Sequence, residues 1–76
     1  MALIEDLAEK LAFDCMQAQK EIGPAADRLY QEVAAHIGTS SPSLEEAFLT
    51  ACRLHMAALR GDEFLARRIK ALKDAG

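Results

Sequence analysis

The side chains best suited to chemistry are two cysteines and two histidines: Cys15, His36, Cys52 and His55. Cys52 and His55 are spaced i to i+3, so on a helix they share a face. With Cys15 and His36 they complete the count of a Cys2His2 zinc set. The spacing argues against that use, because structural zinc sites start from a close cysteine pair and none is present. The expectation is therefore no metal and no cofactor, with reduced thiols acting as small buried hydrophobes. His55 is expected to be a hydrogen-bonded core or interface residue, and a mostly buried imidazole there would make assembly pH-sensitive. Nucleophilic catalysis by Cys52 with His55 would need oxyanion donors and a cleft, which a regular helix rich in Ala and Leu does not offer. No nucleophile elbow, P-loop or GxGxxG stands in the sequence, and its carboxylates are indistinguishable from solvated helix faces. The sequence predicts a protein that is not an enzyme.

Helices must position these residues. From Ala2 to Ile22, apolar residues recur at Ile4, Leu7, Ala8, Leu11, Cys15, Ala18 and Ile22, the spacing of an amphipathic helix. At about 30 Å, this first helix is long enough to overhang the rest. Gly23-Pro24 ends it, and Pro24 opens a second helix with Ala26, Leu29, Val33 and Ile37 on one face and Gly38 at its close. Thr39 to Ser43 reads as a loop, and Ser43 with Glu46 has the form of a capping box for a third helix running to about Arg60. Gly61-Asp62 reads as a stop followed by an N-cap. A last helix then carries Leu65, Ile69 and Leu72 on its main stripe and Phe64, Ala71 and Ala75 off it. No segment alternates with period two, so no strand is expected. The predicted fold is all-α: a small antiparallel helical bundle of about four helices joined by short loops, forming one domain over residues 1–76.

Composition supports this reading. Of the 76 residues, 51% are hydrophobic and 28% charged, too apolar for disorder and too charged for a membrane protein. The N-terminus lacks the basic and apolar regions of a signal peptide, and no run approaches about 18 apolar residues, so a cytoplasmic protein without a membrane partner is expected. Charge is uneven along the chain. Residues 1–50 hold nine acidic and three basic side chains, a net of −6, and residues 51–76 hold three acidic and six basic, a net of +3.

Apolar side chains outnumber the inward-facing places that so short a chain can provide. Phe13 and Met16 fall about 120–180° around the first helix from Ile4 and should face outward as a contact surface. The third helix is apolar over about two-thirds of its circumference, which places Phe48, Cys52, Met56 and Leu59 in a seam with a partner protein. A second copy related by a two-fold axis is the commonest such partner. The function expected is a non-catalytic interaction module: an adaptor, regulator or inhibitor, working as a homodimer.

Nucleic acid is the competing partner. The segment from Gln31 to Leu44 resembles a helix-turn-helix DNA-binding motif: Val33, Ala34 and Ile37 match the packing positions of a first helix, Gly38 the turn, and Leu44 and Ala47 the inward positions of a recognition helix. The resemblance implies a transcriptional regulator. Glu45 and Glu46 would then face phosphate, leaving contact to Arg53, Arg60, Arg67, Arg68, Lys70 and Lys73. Ser43-Leu44 at a helix start also looks like the modification site of an acyl carrier protein, whose serine carries phosphopantetheine. Pro42 stands where that family has Asp, and the preceding Gly is missing.

Overall fold

The first helix, α1, spans Leu3–Ile22 in the computed structural model, which describes residues 2–76. Glu5 and Asp6 in its first turn and Lys20 in its last complement the helix dipole. Gly23 ends it at φ 90°, a conformation that L side chains resist, and its N–H donates to the Gln19 carbonyl at 2.9 Å.

Pro24 does not open the second α-helix directly. It leads a 3-10 turn, Pro24–Ala26, and α2 begins only at Leu29 and runs to Gly38. Arg28, at the N-cap position, has no acceptor to offer. Gln19 of α1 supplies one instead, its Oε1 accepting the Tyr30 N–H at 3.1 Å. At the other end the Thr39 hydroxyl donates to the His36 carbonyl at 2.7 Å, and the Glu45 carboxylate lies directly against Gly38.

The third helix, α3, spans Pro42–Ala75. Its cap is Ser41, not Ser43: the Ser41 Oγ accepts the Leu44 N–H at 3.1 Å, and Pro42 takes the first helical position, where its missing N–H costs nothing. The separate fourth helix expected from the sequence does not form. The structure is all-helical, with three α-helices, because the chain passes through Gly61-Asp62 without leaving helical geometry. A glycine inside a helix costs roughly 1 kcal/mol, whereas starting a new helix requires a fresh nucleus. The overhang accordingly belongs to α3 rather than α1. At 1.5 Å per residue its 34 residues extend about 50 Å, which sets the longest of the molecule's dimensions, 55 × 33 × 14 Å.

The body of the molecule is α1, α2 and the first part of α3, and its core is made of small residues. Ala8, Ala12 and Cys15 of α1, Ala34 of α2, and Phe48 and Cys52 of α3 form one buried cluster, in which Phe48 is the only large side chain sealed completely. Leu11, Met16, Leu29, Val33 and Leu44 pack around it, partly exposed. Beyond Met56 every residue of α3 is exposed. Leu65, Ile69 and Leu72, expected as the buried stripe of a last helix, therefore face solvent.

Candidate functional site

Large apolar side chains lie mostly outside the core. Ten of them are exposed among the described residues: Leu3, Leu7, Phe13 and Ile22 on α1, and six more on α3. Two features follow from this. One is a groove of about 530 Å³ between α1 and α3, floored by Ala8, Ala47, Ala51 and Ala58, with Leu54 standing at its edge and Glu5 and Glu9 on its α1 side. The other is the arm, the part of α3 past Met56, every residue of which is exposed and which carries Leu59, Phe64, Leu65, Ile69 and Leu72. On a wheel of about 100° per residue, the floor positions Ala47, Ala51, Leu54 and Ala58 continue along the arm as Leu65, Ile69 and Leu72. A single apolar strip thus runs nearly the length of α3, roughly a quarter-turn from the face that Phe48 buries.

The contact residues expected from the sequence divide. Phe13 is 54% exposed on α1, whereas Met16, one turn on, packs against the core instead of facing outward. Phe48 and Cys52, expected in a partner seam, are each 0% exposed and enclosed by the chain's own helices, so neither surface is open to a partner. Met56 is half-buried and Leu59 exposed at the point where the arm leaves the body. Leu54, 66% exposed, and Glu5 and Glu9 beside the groove were not singled out by sequence reasoning. The usable signal was the recurrence of Ala58, Leu65 and Leu72 at intervals of seven across the supposed stop at Gly61.

His55 is exposed at the groove, not buried, which removes the ground for a pH-sensitive core histidine. Both thiols are enclosed. Burial raises the Cys15 pKa, and burial, helped by the charge of Cys15 and opposed by Arg53, lifts Cys52 from 9.0 to about 11. Such thiols are neutral and poorly nucleophilic at physiological pH. Among the described residues no group of three or more His, Cys, Asp or Glu side chains is placed to hold a metal ion.

The six basic residues proposed for nucleic acid are all exposed on α3. Arg53, Arg60 and Arg67, at intervals of seven, form a line on the side away from the apolar strip, while Arg68, Lys70 and Lys73 are spread around the arm. Lys70 pairs with Asp74 at 3.2 Å, as Lys10 does with Asp14 at 2.6 Å on α1; exposed pairs of this kind contribute no more than about 0.5 kcal/mol each. Ser43 sits exposed in the first turn of α3. Among the described residues no helix is long and apolar enough to cross a membrane.

No protein-family model, no curated protein and no solved structure matches the chain.

Proposed function

We propose that the chain is a non-catalytic protein-interaction module of the cytoplasm, an adaptor, regulator or inhibitor, that works as a homodimer through its apolar helix faces. One observation carries this reading: among the described residues Phe48 is the one large buried hydrophobe, the other buried residues being Ala and Cys, while ten large hydrophobes stand exposed. The dimensions support it. The radius of gyration is 15.7 Å, against about 11 Å for a self-contained domain of this length. The chain exposes 5859 Å², whereas a folded monomer of 8.3 kDa exposes about 4,600 Å². A surplus of this size is comparable to the roughly 800 Å² that each partner contributes to a stable complex.

Sedimentation equilibrium of the intact protein tests the reading. A mass of twice 8.3 kDa at micromolar concentration is expected; a species that stays at the single-chain mass into the millimolar range contradicts it. A gel shift with duplex DNA separates the competing regulator, since binding that falls steeply with salt would favour a nucleic-acid partner.

A further inference from the structure

Resting on the homodimer reading above, we infer that α3 pairs with α3 of a second copy, antiparallel and crossing at Ala58 and Gly61, so that each arm lies in the other chain's α1–α3 groove.

The strip along α3 is complementary to its own reversal. When two copies are laid antiparallel with Ala58 facing Gly61, Leu54 of each comes opposite Leu65 of the other, and Ala47 comes opposite Leu72. Large side chains on the arm thereby meet the alanine floor of the groove, and small ones meet at the crossing point. A Cβ built on Gly61 would touch nothing within 4 Å in the single chain, leaving room there for a second helix to approach closely. The arrangement is closed by a two-fold axis, so it stops at two copies.

Area and charge identify the occupant as a second copy. The surplus exposed surface, about 1,300 Å² per chain, exceeds the roughly 800 Å² per partner of a standard interface, enough for a reciprocal pair of arms in grooves. An isolated helical segment as long as the arm is marginal in water, and the groove supplies the packing it lacks. Glu5 and Glu9 stand on the α1 side of the groove, and the flank of the arm that turns toward them carries Lys73 and Lys70, the latter paired with Asp74 at 3.2 Å, against the single carboxylate of Asp62, an excess of positive charge. The same asymmetry runs through the whole sequence, in which residues 1–50 are net −6 and residues 51–76 net +3.

A charge exchange tests the arrangement. Glu5→Lys with Glu9→Lys in one variant, and Lys70→Glu with Lys73→Glu in another, change exposed side chains only. Each variant alone places like charges at both arm–groove contacts and should dimerise on the order of tenfold more weakly than the unaltered chain at low salt. Mixed together they restore opposite charges at both contacts and should recover dimer. A second measurement does not depend on charge. Leu54→Cys and Leu65→Cys chains, oxidised as a mixture, should cross-link to each other but not to themselves, because Leu54 and its two-fold mate lie about 16 Å apart along the helices. An unaltered chain that never dimerises overturns the homodimer reading itself. A dimer that ignores the charge variants, or that cross-links Leu54→Cys to Leu54→Cys, overturns the crossing alone.

Discussion

The two halves of α3 are built from similar residues yet live in opposite surroundings. In the body, Leu44 to Met56 lies against α1 and α2 and turns Phe48 and Cys52 inward. In the arm, Leu59 to Leu72 repeats the same amphipathic spacing with nothing beside it. Helical periodicity marks a face that is ready to be covered; it does not say by what. In the body the cover is two helices of the same chain. On the arm the chain itself supplies none.

Truncation separates the halves most sharply. Phe48→Ala should destabilise the fold by about 3–5 kcal/mol, enough to unfold so small a domain, because it empties the only large sealed position. Leu72→Ala should change the unfolding free energy of the dilute single chain, read from urea titration, by less than about 0.5 kcal/mol, since that side chain is exposed. Equal losses from both variants would erase the distinction between body and arm.

Alkali probes the body alone. The buried Cys52 thiol has a pKa of about 11 in the folded chain against 9.0 when exposed, so the unfolded state ionises first as pH rises. Stability should be unaffected below pH 9 and fall by on the order of 2 kcal/mol between pH 9 and 11. Cys52→Ala should make that fall smaller in urea titrations at fixed pH, leaving the share of Cys15, whose pKa burial also raises.

Ser41→Ala should cost about 1 kcal/mol by removing the acceptor for the Leu44 N–H, whereas Ser43→Ala, at the second helical position, should be close to neutral. Thermal melts of the two variants decide between the caps. The one gain belongs to the arm: Gly61→Ala should raise helicity and stabilise the dilute single chain by somewhat under 1 kcal/mol, because the added methyl meets nothing. A loss of circular-dichroism signal in that variant would mean that Gly61 does not sit in a continuous helix.

Local punctuation was the legible part of the sequence. Gly23-Pro24 ended α1 where the spacing placed its end, and the close of α2 at Gly38 followed from the polar run after it. Gly61-Asp62 misled because a glycine inside a helix costs only about 1 kcal/mol, and the backbone at Gly61 does not turn to positive φ as it does at Gly23. Ser41 and Ser43 both precede an apolar run, and only Pro42 between them, which must fall at the first helical position, fixes which one caps. The site was less legible. Phe48 and Cys52 were drawn into a seam because a wheel gives direction around one helix and not the identity of the neighbour. The alanines that bring α1 and α2 close enough to seal them carry almost no hydrophobic signal. Cross-element contacts such as Gln19 to Tyr30 have no local signature at all.

That glutamine ties the start of α2 to the last turn of α1 across a sequence separation of eleven. So short a loop closes quickly, which makes the pair α1–α2 a natural early-forming hairpin. The two helices touch each other little, so most of the core forms only when α3 lays Phe48 and Cys52 between them.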